Sequence, residues 1–80
     1  MDSLTQNLKE LISEALECDI NTINENSGLG RHQDWDSLGH VIIIVKLEQV
    51  FGVVVHDKQI EKLLTFNDLK EYLINIAANK

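Results

Sequence analysis

The most distinctive stretch of the chain is Asp34-Trp35-Asp36-Ser37-Leu38-Gly39-His40, which brings a hydroxyl, carboxylates, an imidazole and an indole into seven residues. An aspartate that opens an apolar helical run is an N-cap signal, so Asp36 puts Ser37 at the first helical position, its hydroxyl turned away from the helix body. That position is also the positive end of the helix, where backbone N–H groups lack intrahelical acceptors, and it favours a phosphate ester attached there. A serine that merely starts a helix fits the same residues. Other chemistry is less specific. His32, Asp34, Asp36 and His40 carry metal-binding donors without the fixed spacing of a recognised site, so no metal site is expected. Asp36, Ser37 and His40 hold the letters of a hydrolase triad, yet a base one helical turn from the serine, with no orienting acid and no oxyanion pocket, does not make its geometry. No catalytic residue is assigned. Cys18 reads as a small buried apolar residue, His56 beside Asp57 as a loop residue, and Gly28-Leu29-Gly30 lacks the rest of a phosphate-cradling loop.

The elements that must position this stretch read as helices. Leu4, Leu8, Leu11, Ile12, Ala15 and Leu16 recur at three- and four-residue spacing, with Lys9, Glu10, Ser13, Glu14 and Glu17 on the other side; Ser3 and Gln6 fit a capping box, so this helix starts beside Ser3 and frays near Glu17. From Cys18 to Trp35 the rhythm stops and asparagine, serine and glycine take over. This is a long loop, with Ile20, Ile23 and Leu29 spaced to pin it to a core. Trp35 is expected to pack its ring onto the domain in the manner of a hydrophobic staple, contact with a partner being the alternative. The second helix, from Ser37 to Phe51, has Asp36 as N-cap and Gly52 just past its end. Asp57 is placed to cap a short helix through Ile60 to Leu63. Thr65 with Asp68 resembles a cap for a last helix with Phe66, Leu69, Leu73 and Ile76 inward. Val53 to Val55 is a connection or a short strand without a partner.

In the second helix Val41, Ile42, Ile43, Ile44 and Val45 run consecutively and cover more than one face. With Ile43, Ile44, Leu47 and Phe51 inward, Val41, Ile42 and Val45 fall at least partly outside beside Ser37, as an apolar docking patch; a core that swallows Val45 is the alternative.

Composition narrows the function. The chain has 80 residues, no proline, four glycines, and 13 acidic against seven basic residues, for a net charge of −6. Such a chain is expected to form one all-α domain over residues 1–80. Its whole stability is roughly 4–12 kcal/mol, which leaves little to maintain a strained, water-excluding active site. Residues 1–36 hold eight acids and two bases, so there is no basic stripe for nucleic acid there. That acidity serves solubility or the docking of basic partners. No apolar run is long enough to insert in a membrane, the N-terminus lacks signal-peptide character, and the single cysteine agrees with a reducing compartment; a cytoplasmic location is expected.

Asp36-Ser37-Leu38 opening an apolar helix, Leu47-Glu48 and Phe51-Gly52 at their distance, the preceding 18-residue loop and the short and final helices that follow together resemble the acyl carrier proteins, over the whole chain. The resemblance implies a four-helix bundle with a long loop between helices 1 and 2 and a short third helix. It implies 4′-phosphopantetheine, taken from coenzyme A, on Ser37, with acyl groups carried as thioesters on its thiol. It further implies that partner enzymes read Asp36 and touch Leu38 beside the serine; the apolar patch of Val41, Ile42 and Val45, with Glu48, completes the expected partner surface. The implied partners are a phosphopantetheinyl transferase, an acyl- or aminoacyl-loading ligase and downstream acyl-transfer enzymes, with the chain acting as a monomer and not as an enzyme. Carriers of primary fatty acid synthesis usually have an acid after the leucine and several glutamates along this helix. Here stand Gly39, His40, Ile42, Gln49 and Val50, and only Glu48 keeps the acidic face, a pattern closer to free-standing carriers of specialised pathways. Two other readings stay open: an aminoacyl or D-alanyl carrier of the same fold, and an unmodified helical adaptor that binds through Val41, Ile42 and Val45.

Overall fold

The computed structural model describes residues 3–78. Four helices follow in order, α1 (Ser3–Leu16), α2 (Ser37–Phe51), α3 (Asp57–Ile60) and α4 (Phe66–Ala78), with a 3-10 turn at Ile20–Thr22 inside the long connection from α1 to α2. Among the described residues there is no strand, only an isolated antiparallel bridge between Gly28 and Thr65. This is the all-α arrangement expected, long loop and short third helix included.

The apolar spacing of α1 puts Leu8, Leu11, Ile12 and Ala15 in the core, with Leu4 and Leu16 packed partly against it. Gln6, read as a capping partner of Ser3, donates its side-chain amide forward to Glu10 Oε1 at 3.3 Å. The helix ends where Glu17 takes a left-handed φ of 53°. Cys18 N–H then reaches back to Ser13 O at 3.0 Å and Glu17 N–H to Glu14 O at 3.4 Å, a Schellman closure that satisfies the last carbonyls.

Across from α1, α2 buries Ile43, Ile44 and Leu47, and α4 closes the core with Phe66, Leu69 and Leu73. Each such side chain contributes about 1.5–3 kcal/mol when removed from water. Gly52 ends α2 in the left-handed region, φ 66°, with its N–H on Glu48 O. Thr65 and Asp68 cap α4 reciprocally: Asp68 N–H donates to Thr65 Oγ1 at 3.1 Å, and Thr65 N–H to Asp68 Oδ2 at 3.2 Å.

Two local readings change. The N-cap of α3 is His56 rather than Asp57, because His56 holds an extended backbone and its N–H donates to Gln59 Oε1 at 3.2 Å; α3 ends at Ile60, short of Leu63. Val53 to Val55 is a connection and not a strand, and side chains satisfy part of its backbone: Val55 N–H donates to Glu48 Oε2 at 2.9 Å, and Tyr72 Oη–H donates to Val54 O at 3.3 Å.

Candidate modification site at the head of helix α2

The loop that delivers Ser37 is fixed at two points before it reaches the helix. At the first, Leu29 N–H donates to Leu64 O and Phe66 N–H to Ser27 O, both at 2.8 Å, so residues 27–29 are stitched to the start of α4. Gly28 sits where a Cβ would lie 2.7 Å from Leu64 O and 3.0 Å from Thr65 Cα, a close approach that only glycine permits. The loop then folds on itself. Arg31 and His32 N–H groups donate to Gly28 O, Trp35 N–H donates to His32 O, and Gly30, at φ 80°, donates to Trp35 O.

The second point is Trp35, which is 1% exposed. Its indole Nε1–H donates to His40 Nδ1 at 3.0 Å, with ring centroids 6.1 Å apart. Indole nitrogen is a donor only, so Nδ1 is unprotonated and the His40 proton is on Nε2, which faces Ile60 O at 3.3 Å. His40 is thereby buried between Trp35, which precedes the N-cap of α2, and the end of α3, and both ring nitrogens are used. Trp35 and His40 occupy the two positions of a hydrophobic staple, N′ and N4, with a hydrogen bond in place of an apolar contact. The sequence reading gave Trp35 its packing role but not its partner; the five-residue spacing across the cap was the available signal. His40 is therefore engaged in structure through both ring nitrogens.

Between these anchors Asp36 caps α2, its Oδ1 accepting Gly39 N–H at 2.8 Å, and Ser37 stands exposed at the first helical position as expected. Ser37 and Leu38 N–H lie in the first turn, where no intrahelical carbonyl reaches them. An exposed hydroxyl beside such donors fits a phosphodiester, and no neighbouring side chain closes over it. Gly39 is buried, and a Cβ there would stand 2.6 Å from Leu16 Cδ2 and 3.2 Å from Asp34 O and Asp36 Oδ1. The position after the leucine thus faces α1 and not solvent.

The structure sets Leu38, Val41, Ile42 and Val45 on the outer side of α2, at 71, 54, 36 and 46% exposure, and so decides the open question about Val45. Glu48 is half-buried, with one carboxylate oxygen held by Val55 N–H. Cys18, expected to be buried, is only partly so. It faces an open groove of about 630 Å³ together with His32 and Asp34.

Residues 6–73 match the family model for the phosphopantetheine attachment site. The chain is 32% identical over 72 residues to an acyl carrier protein of Lactobacillus acidophilus, covering 90% of each chain. It is 34% identical over 68 residues to an acyl carrier protein of Phytoplasma mali, covering 85% of this chain and 81% of that one. A Thermotoga maritima acyl carrier protein is 32% identical over 72 residues, with 90% of this chain and 89% of the relative covered.

Proposed function

The chain belongs to the acyl carrier protein family, carriers with a covalent 4′-phosphopantetheine arm rather than enzymes, and we propose that its arm is attached to Ser37 and serves a specialised rather than a housekeeping fatty acid pathway. Membership implies a phosphopantetheinyl transferase and acyl-handling enzymes as partners. The observation that carries the assignment to Ser37 is its place: an exposed hydroxyl at the first position of α2, held by the Asp36 cap and by the Trp35–His40 anchor behind it.

In the transfer, Ser37 Oγ attacks the coenzyme A pyrophosphate. The new bond is the Ser37 O–P ester, the bond broken is the P–O link to the nucleotide half, which leaves, and the hydroxyl proton passes to the transferase or solvent. Once attached, the arm supplies a thiol that carries acyl groups as thioesters. The chain's own part is to hold Ser37 outward and to offer the transferase and later enzymes a common surface. Asp36 contributes the carboxylate oxygen not used in the cap; Leu38, Val41, Ile42 and Val45 contribute apolar contact, and Glu48 the remaining acid.

Specialisation is supported by the charge of that surface. The position after Leu38 is a buried glycine and Glu48 is partly spent on Val55, so basic housekeeping enzymes find a weak electrostatic handle. On this reading the carrier acts as a monomeric single domain in the cytoplasm, beside the enzymes that load it.

The test is the intact mass of the chain before and after incubation with coenzyme A and a broad-specificity phosphopantetheinyl transferase. The expected result is a gain of one phosphopantetheine, absent in Ser37→Ala. A gain that persists in Ser37→Ala moves the arm to another residue, and no gain in a folded chain leaves an unmodified adaptor.

A further inference from the structure

We propose that Cys18, His32 and Asp34 form a binding site for one zinc ion, or a cation of the same borderline-soft class, in the groove beside the loop that delivers Ser37. The three residues come from two segments. Cys18 is set by the Schellman closure at the end of α1, whereas His32 and Asp34 ride on the folded loop 28–35. One donor atom from each, a sulfur, an imidazole nitrogen and a carboxylate oxygen, lies within 4.8 Å of the others. Tetrahedral zinc with bonds of about 2.0–2.3 Å wants its donors about 3.3–3.6 Å apart, so side-chain rotation of roughly an ångström closes the set.

The donor chemistry selects the ion. A thiolate with an imidazole and one carboxylate favours zinc over magnesium or calcium, which prefer oxygen alone. Three protein ligands leave the fourth position to water, and the open groove of about 630 Å³ has room for it. Its walls also carry Asp19 and Arg31, so the carboxylates of Asp19 and Asp34 outnumber the one fixed cation. Binding forms the metal–sulfur bond and releases the Cys18 thiol proton to solvent.

The imidazole is already oriented. Asp34 N–H donates to His32 Nδ1 at 3.1 Å, and His32 Nε2 lies 2.9 Å from Thr22 Oγ1, whose hydroxyl donates to Asp19 O at 2.6 Å. That hydroxyl is also 3.8 Å from Cys18 Sγ, which places the sulfur and the ring on the same side of the groove. An ion on Nδ1 displaces the Asp34 amide, which belongs to an exposed residue where water replaces it, and leaves Nε2–H donating to Thr22 Oγ1. The contact that remains holds the ring, as outer contacts do around metal-bound histidines. An ion here would tie the end of α1 to the loop that leads to Ser37.

The full chain, kept reduced without added thiols, is titrated with Co²⁺ as a spectroscopic probe and with Zn²⁺ by calorimetry at pH 7. The expected result is one equivalent of Zn²⁺ that displaces Co²⁺, and a near-ultraviolet thiolate-to-cobalt charge-transfer band. Cys18→Ser abolishes the band, and His32→Gln and Asp34→Asn each weaken Zn²⁺ binding at least about tenfold, with far-ultraviolet circular dichroism verifying that each variant is folded. Ser37→Ala, which removes any thiol on an arm, leaves binding intact. The proposal is overturned by absence of the charge-transfer band, by its persistence in Cys18→Ser, by its loss in Ser37→Ala, or by equal competition from Ca²⁺ or Mg²⁺.

Discussion

Replacing Trp35 by phenylalanine removes a single N–H donor from a place where its partner has no substitute. His40 Nδ1 accepts only that bond, at 3.0 Å, and the residue is 4% exposed, so water does not take the donor's place. An unsatisfied buried acceptor costs about 1–3 kcal/mol. The smaller ring adds a packing loss of about 1 kcal/mol or more, because Trp35 is among the fully buried side chains and the stitched loop that carries it has little freedom to collapse. The total, about 2–4 kcal/mol, is a large share of the roughly 4–12 kcal/mol expected for a chain of this length. Urea unfolding followed by far-ultraviolet circular dichroism should show the midpoint falling by about 2 M at the slopes usual for small domains. A double-mutant cycle isolates the bond. His40→Leu alone strands the indole N–H, whereas the double variant strands neither group, so the two changes together should cost at least about 1 kcal/mol less than their sum. Additive costs, or a Trp35→Phe penalty under about 0.5 kcal/mol, would refute the claim that this hydrogen bond holds the head of α2.

Gly28→Ala should destabilise by about 1–3 kcal/mol in thermal unfolding and expose the Leu29 and Phe66 amides to hydrogen exchange, because the added methyl meets Leu64 O and Thr65 Cα, which are backbone. Glu17→Gly should have the opposite sign, a gain of about 1 kcal/mol in urea unfolding, since the left-handed φ of 53° strains any residue with a Cβ. Ile42→Glu should slow modification by the transferase more than raising salt to about 0.3 M does; a rate governed by salt instead would mean that charge and not the apolar stripe guides docking.

The parts of the fold written locally were legible. The caps at Asp36 and Gly52, the reciprocal pair Thr65 and Asp68, and the inward spacing of Leu8, Ile12, Ile43 and Leu69 each depend on neighbours within a turn or two, which a sequence displays directly. What escaped depends on distant partners. Nothing near Gly28 announces Leu64 and Thr65, and nothing near Glu48 announces that Val55 N–H will claim its carboxylate. Of the metal donors that lie close in sequence, His32, Asp34, Asp36 and His40, two serve the cap and the indole. The chain returns instead to Cys18, fourteen residues before His32, a pairing set by how α1 ends and the loop folds. His56, a loop residue by its place beside Asp57, becomes the cap of α3 through the Gln59 carboxamide three residues on.

The buried Gly39 bears on any attempt to redirect this carrier toward other enzymes. In most interaction surfaces a charge is added by changing an outward residue, and the core does not notice. Here the position at which such a charge would sit is occupied from behind by Leu16 of α1, whose methyl stands 2.6 Å from where the new Cβ would be. An acid grafted at Gly39 therefore requires the Leu16 side chain to rotate aside, so a change of partner code made at this position is felt in the packing of α1 against α2, whereas one made at the exposed Ile42 is not.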